Sequence, residues 1–159
     1  MVEQVYLDTN VYCRPFDDQS VRRIRVESRA FLGIAEIVLR GEIEIVSSDY
    51  VKFEIEQILD SLKRKDVRGF ERTLSSKSVS ARRRLIAVAR EFSSKCGLNS
   101  LDALHVSAAC LVKASFFLTC DDEILRSRVC VERLAVEKRY RLKVRNPFDY
   151  LSERRGVKR

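Results

Sequence analysis

Short apolar runs rich in β-type residues alternate along this chain with longer stretches in which apolar residues return every three or four positions. Val5-Tyr6-Leu7 reads as a buried strand that stops at Asp8-Thr9-Asn10. Residues 14–20 break it, and Asp17, Asp18 or Ser20 is expected to cap a helix to about Arg40, with Gly41 as its stop and Ile24, Phe31, Ile34, Ala35 and Val38 inward. Residues 43–47 alternate as a second strand. Ser48 or Asp49 should then cap a helix to about Leu62 that buries Val51, Ile55, Ile58, Leu59 and Leu62. A short helix over 66–74 and a serine-rich loop at 75–78 follow. Ser78 or Ser80 is expected to cap the next helix, with Leu85, Val88, Ala89 and Phe92 inward and Gly97 ending it. Asn99 opens a helix apolar on nearly all sides, hence central. Residues 115–119 form the clearest later strand, 142–144 a short one, and Pro147 suits the first position of a final helical turn.

Strands alternating with helices predict an α/β fold: a three-layer α/β/α sandwich around a central, mainly parallel sheet of four to five strands. The length of 159 residues suits one domain, residues 1–159, and 45% hydrophobic with 34% charged residues excludes a disordered chain. No apolar run reaches membrane-spanning length, and Glu3 interrupts the start, so neither an anchor nor a signal peptide is visible and a cytoplasmic place is expected. Cys13, Cys96, Cys110, Cys120 and Cys130 stand singly, without metal-ligand spacing. They read as free thiols in a reducing compartment, with Cys110, Cys120 and Cys130 as small buried hydrophobes, rather than as zinc ligands or disulfides.

The net charge of +8 changes the picture further. Residues 1–123 hold 19 Lys/Arg and 19 Asp/Glu, whereas 124–159 hold 12 and 4, so the whole excess lies in the last segment. It points to a polyanion or an acidic partner, against the plainer reading of a solvated basic tail. The electrostatic expectation is RNA contact through Arg139, Arg141, Lys143 and Arg145.

Four acids stand where chemistry would need them. Asp8 and Asp121 end strands, at the sheet edge where open α/β folds bind ligands. Asp102 opens the central helix, and Glu54 shares the apolar face of its own. Each has a plain structural reading alone: Glu54 as an edge residue whose stem packs, Asp102 as a helix-dipole partner. Together at one edge they would repel unless a cation sat among them, and oxygen donors suit magnesium or manganese rather than zinc. His105, the only histidine, reads as a hydrogen-bonded core residue.

At Leu7-Asp8-Thr9-Asn10, Ser47/Ser48 followed by Glu54, Asp102-Ala103-Leu104-His105 and Thr119-Cys120-Asp121, with Asn146-Pro147 near the end, the chain resembles the PIN-domain family, and within it the toxin nucleases of VapC type. The resemblance implies a ribonuclease dependent on Mg2+ or Mn2+, commonly a homodimer held inactive by an antitoxin protein, cutting RNA to leave 5′-phosphate and 3′-hydroxyl ends. It implies Asp8, Glu54, Asp102 and Asp121 as the catalytic, metal-holding acids and Thr9, Asn10 and Thr119 as their polar support. Asp122 competes with Asp121, and Thr-x-Asp spacing favours Asp121. Residues 63–80 match nothing in the family. Two rivals stand beside this reading. An aspartate-nucleophile phosphatase needs a second acid where Asn10 stands and leaves Glu54 idle. A non-catalytic PIN-like RNA-binding or regulatory module would not need all four acids.

Overall fold

The structure is a computed structural model and describes residues 1–156. Its centre is β1 (Glu3–Leu7), whose last three residues are buried. Around it lies a sheet of order β3-β2-β1-β4-β5, with β2 (Ile43–Ser48), β3 (Ser75–Val79), β4 (Phe116–Leu118) and β5 (Lys143–Arg145). Every pairing is parallel: Val5 lies opposite Ile45 on one side and Phe116 on the other, and Phe116 opposite Lys143. The chain builds outward from β1 through β2 to β3, then returns to β4 on the other flank. The reversal makes a crevice beyond the carboxyl ends of β1 and β4, the usual ligand position in open parallel sheets.

Helices cover both faces, as right-handed crossovers require. α2 (Arg22–Leu39) and α4 (Ser61–Leu74) pack with each other, and α2 also with α9 (Pro147–Gly156); α5 (Arg83–Cys96) packs with α6 (Ser100–Leu111) and α8 (Arg128–Glu137). The five-stranded parallel sheet between helical layers is the α/β/α sandwich expected, at the upper strand number. α6 is central as predicted: Ala103, Val106, Ala108, Ala109 and Cys110 are at most 1% exposed. Asn99 caps it, Gly97 ends α5 at φ 69°, and Pro147 opens α9. Among the described residues, no helix is long and apolar enough to cross a membrane.

Several expected boundaries are corrected. The helix after β2, α3 (Asp49–Glu56), stops well before Leu62. Asp60 accepts hydrogen bonds from the Leu62 and Lys63 amides and starts α4, so local capping outweighs the continuing apolar period. Leu59 and Leu62 are consequently 97% and 73% exposed rather than buried. Residues 75–79 are not a loop but β3, an edge strand whose Ser-Lys sequence carries no alternation because most of it faces solvent. α2 and α5 begin at Val21 and Arg82 without a side-chain cap, so the proposed aspartate and serine caps are unused.

The cysteine reading is corrected in part. Cys96 and Cys130 form a disulfide, with Cα atoms 5.6 Å apart, joining the end of α5 to the start of α8. The antiparallel packing of these helices brings together residues 34 apart, which spacing alone does not reveal. Cys110 and Cys120 are free and buried, and Cys13 is free and half-buried.

Candidate metal centre

Asp8 follows β1 directly and caps the short helix α1 (Thr9–Cys13). It is 5% exposed, and its oxygens accept from three donors. Oδ1 accepts from the Thr9 amide at 2.8 Å, and Oδ2 from Thr119 Oγ1 at 2.8 Å and Asn10 Nδ2 at 3.0 Å. Asn10 also ties the opposite strand end through the Cys120 amide, at 3.0 Å. Burial pushes the Asp8 carboxyl up and the nearby Glu54 charge adds to this, while His105 and the Thr119 hydroxyl oppose it.

α3 turns Glu54 toward the same crevice. Its Oε1 accepts from Thr9 Oγ1 at 2.8 Å and is bonded to His105 Nε2. Behind it runs a buried relay: His105 Nδ1 meets Tyr6 Oη at 2.7 Å, which meets Ser48 Oγ at 2.6 Å. Ser48 in turn caps α3 through the Val51 amide. The relay therefore locks the helix that carries Glu54 as well as its side chain. Burial would raise the Glu54 carboxyl, but the bond and charge of His105 hold it below its ordinary value; burial would lower His105, but Glu54 and Asp8 raise it.

Ligand atoms of Asp8, Glu54 and His105 all lie within 4.8 Å of one another, a separation open to a metal ion. Both ring nitrogens of His105 are already engaged, by Glu54 and Tyr6, so its place is to orient Glu54. Asp102 lies in the first turn of α6, where Asn99 caps the helix and donates to its Oδ2 at 2.6 Å. Burial pushes its carboxyl up to about 6, and the charges of Asp8, Asp121 and Glu54 add to the push. Asp8, Asp121 and Glu54 thus all act electrostatically on Asp102. Oxygen donors that crowd one another fit a hard divalent cation, which offsets the repulsion.

Asp121 caps the short helix α7 (Asp122–Arg126) through the Glu123 amide at 2.7 Å, and its own amide donates to Thr119 Oγ1 at 3.0 Å. Asp122 is bound by Arg23 at 2.7 Å, an exposed pair. Thr9, Asn10 and Thr119 all sit between the acids. Ser48 and Asn99 were read as helix starts and do cap α3 and α6, whereas the part of Tyr6 was not marked; its signal was a hydroxyl within a strand otherwise read as core.

The basic residues do not gather there. Arg139 and Arg141 are exposed between α8 and β5, at the amino ends of the strands and so opposite the acids. Lys143 Nζ lies 6.0 Å from the Phe116 ring centre, and Arg145 is engaged by Glu132 at 2.7 Å and Glu153 at 2.6 Å.

A family model described as PIN domain matches residues 5–129. No curated protein matches the chain. The match runs from β1 into α8 and contains all four acids, while β5 and α9 lie beyond it and complete the sheet.

Proposed function

Since the chain belongs to the PIN-domain family, we propose that it is a metal-dependent endoribonuclease, with Asp8, Glu54, Asp102 and Asp121 holding Mg2+ or Mn2+. The observation that carries this reading is that ligand atoms of Asp8 and Glu54 lie within 4.8 Å of one another and of His105 where the strand order reverses, with the charges of Asp8, Asp121 and Glu54 acting on Asp102. An ion bound there lowers the pKa of its water toward neutrality and offsets charge on the scissile phosphate.

The chain's own residues have distinct tasks. Asp8 is fixed by Thr9, Asn10 and Thr119, so it meets a cation without reorganising. Glu54 is aimed by His105, whose ring is oriented by Tyr6 and Ser48. Asp102, whose carboxyl is pushed up to about 6 by burial and by its acidic neighbours, would be favoured in its ionised form by a cation. No side-chain nucleophile is required, and the acid expected of an aspartyl-phosphate enzyme is replaced by Asn10, which instead bonds Asp8 and Thr119.

We read residues 1–159 as one nuclease unit, because β5 and α9 belong to the same sheet and packing. Within the family, the resemblance around Asp8, Asp102 and Asp121 supports a toxin of VapC type, acting in the cytoplasm as a homodimer and restrained by an antitoxin. Phe53 on α3, Leu59 in the connection that follows it and Leu62 on α4, all exposed, support association. The disulfide must then persist against the cytoplasmic thiol pool.

The test is cleavage of a mixed single-stranded and structured RNA pool with Mg2+, with Mn2+ and with EDTA. Cutting should need the metal and leave 5′-phosphate ends. Asp102→Asn should slow it on the order of a thousandfold, the scale of several kcal/mol in the barrier. Growth arrest on induction, absent for Asp102→Asn, would support the toxin assignment. Cleavage untouched by EDTA would defeat the metal-nuclease reading.

A further inference from the structure

A second concavity lies on the β3 edge, between α3, α4 and β3, with a volume of about 540 Å³. It is separate from the acid cluster. α3, a helix roughly 10 Å across, stands between them, turning Glu54 to one side and Lys52 and Ile55 to the other. Its size lies within the usual range for small-ligand sites, roughly 300–1,000 Å³.

Two features set its chemistry. Lys52, Arg68, Arg72 and Lys77 line it against Glu56 and Glu71. Arg68 and Glu56 neutralise each other at 2.6 Å, while Lys52 and Arg72 have no ion pair among the described residues. Lys77 likewise has no ion pair among the described residues, so the groove offers three cations free of ion pairs. Its other feature is Glu71, 3% exposed on the helix face that also buries Val67 and Leu74. Among the described residues, no hydrogen bond or ion pair reaches its carboxylate. The carboxylate oxygens are not sealed off, and the groove is the side from which a donor can reach them.

We propose that this groove is a guanine-nucleotide subsite, with Glu71 reading the base and Lys52 and Arg72 holding its phosphate. A carboxylate offers two acceptor oxygens and no donor. Guanine alone among the four RNA bases presents two adjacent N–H donors, N1–H and the N2 amino group, on its Watson–Crick edge. Adenine and cytosine set one amino group beside an acceptor, and uracil sets one imino group between two. Ile55 lines the apolar side, and Ser78 supplies a hydroxyl for sugar or phosphate. RNA is commonly read in this way, as unstacked bases held by their Watson–Crick edges. The subsite deepens the ribonuclease reading and rests on it for RNA as the natural ligand. It would place a guanosine about one helix diameter from the scissile phosphate.

The test is binding of GMP, AMP, CMP and UMP to the metal-free full chain, followed calorimetrically. GMP should bind at least tenfold more tightly than the other three. GMP methylated at N1 should lose that advantage, a comparison that needs no variant to fold. Glu71→Gln should bring GMP down to the others, and Arg72→Ala should weaken all four alike. Equal binding of the four, no binding, or a guanine preference that survives N1-methylation or Glu71→Gln overturns the subsite. Because no metal is present, these outcomes are independent of cleavage. A chain that prefers GMP but cuts nothing defeats the nuclease and keeps the subsite; one that cuts RNA but binds all four equally does the reverse.

Discussion

Asp102 is half-buried in the first turn of α6, and burial together with the charges of Asp8, Asp121 and Glu54 lifts its carboxyl to about 6. Its value in the unfolded chain is about 3.9. A carboxyl with a higher pKa in the fold contributes stability that is complete below the unfolded value and is lost as pH rises through the folded one. Metal-free protein should therefore gain stability from this group on going from pH 7 to pH 5, seen as a higher urea midpoint. Asp102→Asn should flatten that response and leave the neutral-pH midpoint unchanged or higher. A parent that loses stability on acidification over this interval, or a variant that keeps the full response, would contradict the crowding. The relay behind Glu54 permits a second test. Tyr6→Phe leaves buried His105 and Ser48 short of a partner, a cost of about 1–3 kcal/mol in stability. It should also weaken manganese affinity about tenfold, since supporting bonds typically matter by 10–100-fold. A variant that loses stability but binds manganese as the parent does would reduce the relay to packing. The positions of three acids were legible in the sequence, Asp8 and Asp121 at strand ends and Asp102 after its asparagine cap. The relay was not, because Tyr6 meets Ser48 and His105 across 42 and 99 residues.

The elements that the sequence made legible are those whose period agrees with their burial. β1, α6 and the inward face of α5 have the predicted residues inside. The failures fall where a local or long-range term overrides period. Asp60 ends one helix and starts another inside a continuous apolar pattern, stranding Leu59 and Leu62 in solvent. β3 is held by backbone pairing to β2, so its side chains carry no pattern to read. The disulfide is the same kind of failure, a contact made by helix packing. It closes a separation of 34 residues and so stabilises by about 3–4 kcal/mol on the chain-entropy view. Reduction should lower the melting temperature by roughly 10 °C in a chain of this size, and a Cys96→Ser, Cys130→Ser protein should not respond to reductant. Scanning calorimetry with and without a phosphine reductant checks it, and equal melting of oxidised and reduced protein would mean that the bridge holds nothing.

At the scale of the whole molecule, a net charge of +8 has two very different homes. The basic segment after residue 123 supplies the excess, but its Arg145 is bound by two glutamates and Arg139 and Arg141 lie at the edge away from the acids. RNA crossing the acid edge should therefore depend on Lys52 and Arg72 more than on Arg139 and Arg141. Affinity against salt checks this: neutralising the first pair should lower the salt slope by about 2, at about 1 per phosphate contact. A slope that falls only with the second pair would return the RNA path to the tail. Association is read by light scattering. The particle should weigh about twice 18.4 kDa, with Leu59→Asp and Leu62→Asp reducing it to the monomer without loss of stability, since exposed positions usually change stability by less than about 0.5 kcal/mol. A monomer at micromolar concentration would leave those leucines for another partner. The central claim is that acids from four distant segments act as one metal-holding unit, and calorimetric titration of Mn2+ into the metal-free chain measures it most directly. Saturable binding should appear at neutral pH, weaken at least tenfold in Asp102→Asn and in Asp121→Asn, stay unchanged in Asp122→Asn, and fade as pH drops below about 6, where protons compete for Asp102. Absence of binding, or binding indifferent to Asp102 and Asp121, would contradict the account.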